Sequence, residues 1–195
     1  MGAGGMIFVD PLFQRILIDT VRGSLFSPPL PVIFDEVFIG LYRLGFESAT
    51  SILGVNPDIS VNAKILTGGL VPLSVTLASE DIFRAFLNDK KADALLHGHS
   101  YTAYPIGCEV ANETLRVIEK LKTSEGWETA KQEWNTLSAS HEHITSAETR
   151  VWSFWGPRFV NELSKLPVVG EVMTLGTVLA VKIADDTSGE QYIDG

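Results

Sequence analysis

Three features of this sequence predict an α/β fold, a mostly parallel sheet with flanking helices. Two short apolar runs of strand character, 32–34 and 59–63, each end in charged residues, Asp35-Glu36 and Lys64. Asp35 precedes Lys64 by 29 positions, room for a helix and a turn between neighbouring strands. Amphipathic helical patterns stand on either side, over 11–21 and 105–122.

The elements follow in order. Asp10 is an N-cap before Pro11, and Leu12, Ile16, Leu17 and Val21 give the first helix its apolar period. Residues 23–31 are a Ser- and Pro-containing loop, 32–34 a buried strand and 38–45 an irregular loop. A short helix over 47–53 ends at Gly54, and Asn56-Pro57 turns the chain into the strand that delivers Lys64. Gly68 and Gly69 permit a sharp reversal, and 73–77 alternates as another strand. Ser79 caps a helix to about residue 87 with Ile82, Phe83 and Phe86 on one face, followed by a charged, solvated loop at 88–92. Pro105 opens a long helix whose expected inner positions are Ile106, Val110, Leu115, Ile118 and Leu121. Residues 127–166 read as helical with a break at Gly156-Pro157, and Trp152, Phe154 and Trp155 as an aromatic packing cluster. Residues 168–183, with Gly170 and Gly176, predict two short antiparallel strands, and 184–195 a polar tail.

Composition narrows the function classes. A net charge of −9 and a pI near 4.9 argue against a nucleic-acid partner, which needs basic patches. Cys108 is the only cysteine, so no internal disulfide can form, which fits a reducing compartment. No apolar run has membrane-spanning length, and no membrane partner is expected. The start has neither a signal-peptide pattern nor the arginines of a transit peptide, and Met6 stands where myristoylation requires Ser or Thr. The opening GAGGM is only superficially a phosphate loop, because no strand precedes it.

The chemistry centres on Lys64 and Asp35. Lysine is costly to desolvate, and burial lowers its pKa toward a reactive amine. Chemistry in open α/β sheets collects at the carboxyl ends of strands. A lysine and a carboxylate at adjacent strand ends suit pyridoxal phosphate (PLP), whose aldehyde bonds the amine and whose ring nitrogen pairs with the carboxylate. The plain alternatives are a solvated lysine and a structural ion pair at the sheet's edge. His97-Gly98-His99-Ser100-Tyr101 reads as a loop whose backbone N–H groups and Ser100 hydroxyl hold a phosphate, with His97 structural. His97 and His99, joined by Cys108 or by His141 and His143, match no established metal spacing, and no metal is expected.

These motifs carry a family resemblance. DEVFIGLYRLG resembles the DEV-x-TG-x-x-R-x-G motif of class III PLP-dependent aminotransferases, and AKILTGGLVPLSVTL their Schiff-base lysine segment. HGHSYTAYPIGCEVA resembles the HG-[HP]-[ST]-[YF] motif of the 7,8-diaminopelargonate aminotransferases of biotin synthesis. GAGGMIFVDPLFQRIL and ALLHGHSY look most like the eukaryotic bifunctional type fused to dethiobiotin synthetase.

The resemblance implies part of the large domain of a fold-type I PLP-dependent transferase, joined to the start of a small α+β C-terminal domain. It divides the chain into a partial PLP-binding domain at 1–104, linking helices at 105–166 and the start of the small domain at 167–195. It implies Lys64 as the catalytic, cofactor- and substrate-binding lysine, Asp35 on the pyridinium nitrogen and Val37 on a ring face. His99 and Ser100 would reach the PLP phosphate of a partner subunit in a homodimer, and Gly98 would line the substrate channel. Ile39 stands where the family usually has threonine, so no hydroxyl contact is expected there.

The implied reaction gives 7,8-diaminopelargonate from 7-keto-8-aminopelargonate and an amino donor that these residues do not identify. The implied compartment is mitochondrial, with cytoplasm the alternative. Enzymes of this family are roughly twice as long, with a phosphate-gripping Gly-Ser and a substrate tyrosine upstream and a carboxylate-binding arginine downstream. The chain is therefore expected to be a fragment with apolar core surface exposed. Three readings stand: the catalytic segment of this aminotransferase, an inactive remnant, or a class III enzyme for another ω-amino acid.

Overall fold

Asp10 caps the first helix, as its sequence position predicts. In a computed structural model that describes residues 6–23, 25–95, 98–138 and 151–184, its carboxylate accepts the N–H groups of Leu12 at 2.7 Å and Phe13 at 3.1 Å. Two of the free amides at the start of α1 (Pro11–Arg22) are thereby satisfied, and Pro11 occupies a first-turn position where no donor is needed. The inner side of α1 is narrower than its apolar period: Ile18 is buried, whereas Leu12, Phe13, Ile16 and Leu17 are exposed. Arg15 reaches 38 residues along the chain and donates to the carbonyls of Leu53 and Gly54 at 2.9 and 3.0 Å. Those carbonyls close α2 (Thr50–Leu53), which ends where Gly54 turns left-handed at φ 64°.

Ile18, Phe34 and Leu53 form the core of this region, with Val32, Ala49 and Val55 packed around them. The core seats β1 (Ile33–Asp35) beside β2 (Ile59–Asn62), and these two strands run parallel with Ile33 opposite Ile59 and Asp35 opposite Val61. β3 (Val75–Ala78) adds to the other edge of β2, antiparallel, giving the order β1-β2-β3. The expected buried strand at 32–34 is corrected here: Phe34 is buried, but Ile33 is 60% exposed. Alternation explains this, because Phe34 meets the α1–α2 core on one face and Ile33 lies on the other, uncovered face. All of β3 is exposed as well. α3 (Glu80–Ala85) is capped by Ser79 as expected but is shorter than 79–87, and its Phe83 and Phe86 are exposed.

α4 (Pro105–Leu121) confirms the long helix and corrects its inner face. Gly107, Ala111 and Ile118 are buried, while Ile106 is 67% exposed and Leu115 and Leu121 are exposed too. α4 packs against the Lys64–Thr67 turn, and at its N-terminal end Gly107 is small because the Tyr104 ring occupies the space a Cβ would need.

The described chain forms two compact units, Met1–Ser124 and Glu125–Gly195. In the second, α5 (Glu125–Ser138) places Trp127 against Trp152 and Phe154, with ring centroids 5.3 and 5.0 Å away. Trp155 stands apart from that cluster, stacked on Phe159 at 5.8 Å. The expectation of helix through Trp152–Trp155 is corrected, since Ser153 bridges to Gly176 instead and its hydroxyl donates to the Gly176 carbonyl at 3.0 Å. α6 (Pro157–Leu163) resumes after Gly156. β4 (Val169–Leu175) and β5 (Val178–Ile183) pair antiparallel as the sequence predicts, reversing at Gly176 with φ 58°. The tail at 185–195 and the stretch 139–150 lie outside the described residues.

The entry to β1 and β2 depends on Asp58. Its Oδ2 accepts the Val32 N–H and the Arg22 guanidinium, each at 2.7 Å. Burial opposes its ionisation, but the Val32 amide and Arg22 outweigh it and hold the carboxyl below its ordinary value. A lowered folded-state pKa stabilises the fold above the unfolded value of about 4, and that stability is lost as pH falls through the folded value. Denaturant midpoints measured from pH 6 to pH 2 should therefore fall more steeply for the native chain than for Asp58→Asn, and parallel curves would refute this role.

Candidate functional site

Lys64 stands where β2 ends. It is the first residue of the 3-10 turn Lys64–Thr67 and has φ 50°, the left-handed region that costs a side-chain-bearing residue roughly 1–2 kcal/mol. Such strain persists only where the surroundings impose it and clusters at functional sites. The surroundings are visible: Leu66 and Thr67 are buried, Thr67 Oγ1 donates to the Val71 carbonyl at 2.6 Å, and Gly68 and Gly69 continue left-handed at φ 58° and 82°. Lys64 itself is exposed. The expected strand, lysine and glycine turn are all present.

Asp35 closes β1 on the neighbouring strand, opposite Val61 and therefore three residues before Lys64 in register. The two residues thus share the carboxyl edge of one parallel pair. Asp35 is exposed and accepts the Val37 N–H at 3.1 Å, so the turn after β1 is folded back onto its carboxylate. Val37 is half-buried in that turn. Glu36, between them, goes the other way: it is 3% exposed, and its carboxylate accepts the Ser60 hydroxyl and the Ala49 N–H, each at 2.6 Å. Glu36 was not among the candidate residues. Its signal was the Asp-Glu pair itself, because alternation can send only one of two successive side chains to the open face.

The loop over 38–45 is irregular, as expected, and is folded by its own hydrogen bonds, whereas the helix expected over 47–53 is shorter and begins at Thr50. Leu41 and Tyr42 are left-handed at φ 54° and 67°, and the Tyr42 N–H donates to the Phe46 carbonyl. Arg43 donates to the Phe38 carbonyl at 2.6 Å and lies over the Phe38 ring, and burial lowers its pKa. Lys122 lies 5.0 Å from the Tyr42 ring centroid, and Tyr42 first, then Glu119, pushes its pKa up. A groove of about 880 Å³ opens between this loop, the Lys64 turn and α4. Its walls include Ile65, Leu70, Val110, Val117 and Ile118, with Lys64, Arg43, Glu109 and Glu113 as the charged lining.

Gly98, His99 and Ser100 are exposed, and His97 lies outside the described residues. The His99 N–H donates to Thr102 Oγ1 at 2.9 Å, and the Tyr101 N–H donates to His99 Nδ1 at 3.1 Å, so Nδ1 is engaged as an acceptor and Nε2 is the nitrogen left to donate. Among the described residues, no hydrogen bond or ring contact joins this loop to Lys64, Asp35 or Val37. The loop is anchored instead by Tyr104, whose hydroxyl donates to the Pro72 carbonyl at 3.0 Å. Gly107 makes room for that ring, since a Cβ there would lie 2.4 Å from it. The structure therefore brings Lys64, Asp35 and Val37 to one edge, while His99 and Ser100 belong to a loop with its own anchor at Tyr104.

This is the α/β fold of the PLP-dependent transaminases. The thermostable (S)-enantioselective omega-transaminase from Thermomicrobium roseum superposes with a TM-score of 0.69 over 94% of this chain and 35% of its own, at 26% identity. Residues 1–150 match the family described as Aminotransferase class-III, and the chain belongs to that family.

Similar curated proteins extend the match. The bifunctional dethiobiotin synthetase/adenosylmethionine-8-amino-7-oxononanoate aminotransferase of Emericella nidulans is 48% identical over 202 residues, covering 95% of this chain and 25% of that protein. The bifunctional dethiobiotin synthetase/7,8-diamino-pelargonic acid aminotransferase, mitochondrial, of Oryza sativa subsp. japonica is 43% identical, covering 98% of this chain and 21% of that protein. The chain thus spans a quarter or less of the length of these two relatives.

The Tyr104 anchor is testable. Gly107→Ala should push the Tyr104 ring away and break its bond to Pro72, and Tyr104→Phe should break the same bond with the ring in place, each costing about 1 kcal/mol. Both should speed amide exchange across 99–104. Unchanged exchange in Gly107→Ala would show that the loop does not depend on this contact.

Proposed function

We propose that this chain is the cofactor-holding catalytic segment of an aminotransferase that converts 8-amino-7-oxononanoate (7-keto-8-aminopelargonate) to 7,8-diaminopelargonate in biotin synthesis, with PLP as cofactor. The observation that supports it is the parallel pairing of Asp35 with Val61, which sets a carboxylate and the Lys64 amine on the same strand edge. The donor set fits the cofactor: an amine for an aldehyde, a carboxylate for a ring nitrogen and an apolar side chain, Val37, for a ring face. Bound there, the cofactor supplies a carbonyl that captures amines and a ring that delocalises negative charge from the substrate carbon.

Each residue then has a role in this reading. The Lys64 Nζ would hold the cofactor until the amino donor takes its place, and the freed Nζ would then accept the proton lost from the donor Cα. Asp35 keeps the ring nitrogen protonated, and its Val37 hydrogen bond fixes the carboxylate orientation. His99 Nε2 and the Ser100 hydroxyl offer donors to the cofactor phosphate of a second copy, and Gly98 leaves space beside its substrate channel. In this reading the assembly is a homodimer, in which the loop of one copy serves the site of the other. Residues 1–104 would be part of the large domain, 105–166 the linking helices and 167–195 the start of the small one. The names of the plant relatives support a mitochondrial location.

Titration of the purified chain with PLP should produce a visible absorbance band that borohydride removes. Lys64→Ala should abolish the band, and Asp35→Asn should weaken PLP binding about tenfold, equivalent to ~1.4 kcal/mol. A band that survives in Lys64→Ala would overturn the assignment.

A further inference from the structure

Glu36 is a buried acid that the proposed chemistry does not use. Its carboxylate is held by two neutral donors, the Ser60 hydroxyl and the Ala49 N–H, and among the described residues it forms no ion pair. A buried carboxylate without a cation is costly, and an apolar side chain would fill a core position with less penalty. Packing alone therefore does not account for it.

Its connections do. The Glu36 N–H donates to the Val61 carbonyl at 2.9 Å, extending the β1–β2 ladder past Asp35, and its carbonyl accepts the Gly40 N–H at 2.9 Å. Through its side chain it grips Ser60 on β2 and Ala49 at the start of α2. Ser60 Oγ in turn accepts Asn62 Nδ2 at 3.0 Å, two residues before Lys64. Gly40 packs under Asn62 so closely that a Cβ would lie 2.6 Å from Asn62 Oδ1. One residue thus ties the end of β1, the turn holding Val37, the end of β2 and α2 into a single unit. In sequence it sits between Asp35 and Val37.

We propose that Glu36 is a positioning residue: its buried carboxylate, bonded to Ser60 and Ala49, fixes the spacing between the strand ends that present Asp35 and Lys64. Its consequence for cofactor capture rests on the reading of those two residues given above. Glu36 touches neither cofactor nor substrate, and it acts through the geometry of its neighbours. Gln at this position keeps the shape and one acceptor oxygen, and its amide can donate to Ser60 Oγ once that hydroxyl turns, so the connection survives loss of charge. Ala removes it.

The test compares Glu36→Ala and Glu36→Gln with Ile18→Ala, a cavity variant in the core cluster of Ile18, Phe34 and Leu53 that removes none of the Glu36 hydrogen bonds. At conditions giving equal folded fractions, Glu36→Ala should raise the apparent Kd for PLP at least about tenfold, Ile18→Ala less than about twofold, and Glu36→Gln should recover most of the loss. Equal losses in Glu36→Ala and Ile18→Ala would make Glu36 merely structural, and native affinity in Glu36→Ala would also overturn the proposal. Should Glu36→Ala fail to fold, Ser60→Ala removes one of the two bonds and makes the same comparison.

If the native chain itself captures no PLP at Lys64, it is the cofactor reading that fails, and amide exchange decides the role of Glu36. Faster exchange confined to residues 36, 40 and 49 in the Glu36 or Ser60 variant supports the tie. Uniform or unchanged exchange refutes it.

Discussion

The first unit is organised by one constraint, the parallel ladder between β1 and β2. Parallel strands cannot be joined by a tight turn, so the chain must leave β1, cross over, and return to the same starting edge. The crossover here contains α2, and α1 covers it from the same side through Ile18 and the Arg15 contacts to Leu53 and Gly54. What the arrangement yields is a shared exit: both strands finish together, and the residues that follow them, Asp35 to Val37 and Lys64, are delivered to one place. The strained Lys64 backbone and the glycine turn after it then carry the chain away from that edge.

Polar groups hold the ladder at both ends. At the entry, Asp58 collects the Val32 amide and the Arg22 side chain; at the exit, Glu36 collects Ala49 and Ser60. The two differ in kind. Asp58 is part-exposed and paired with a cation, an arrangement that adds stability while its carboxylate remains ionised. Glu36 is buried with neutral partners, and its hydrogen bonds constrain geometry where an apolar residue would leave the turn freer to move. The pair shows a stabilising contact at the end remote from the site and a geometric one next to it.

Local signals made much of this legible. Asp-Pro marks the α1 start, Gly54 its partner helix's end, Ser79 the α3 start and Gly176 the hairpin, because each acts through its own backbone. Lys64 after a strand and before two glycines was readable for the same reason. The α4 face was not: Ile106 and Leu121 satisfy a helical period, but the buried positions are Gly107, Ala111 and Ile118, and at Gly107 the reason is the Tyr104 ring, which leaves no room for a Cβ. The breadth of exposed apolar surface on α1 and β3 also follows from tertiary neighbours, which no helix or strand period encodes. Glu36 escaped because its partners lie 13 and 24 residues away.

The parallel register sets Asp35 and Lys64 on one strand edge, the pair proposed to hold the cofactor. The most direct measurement is peptide mapping by mass spectrometry after borohydride reduction of the chain with stoichiometric PLP. The account predicts the phosphopyridoxyl group on Lys64 with other exposed lysines, such as Lys90, Lys91 and Lys120, unmodified. Label spread evenly over those surface lysines, with no preference for Lys64, would contradict it.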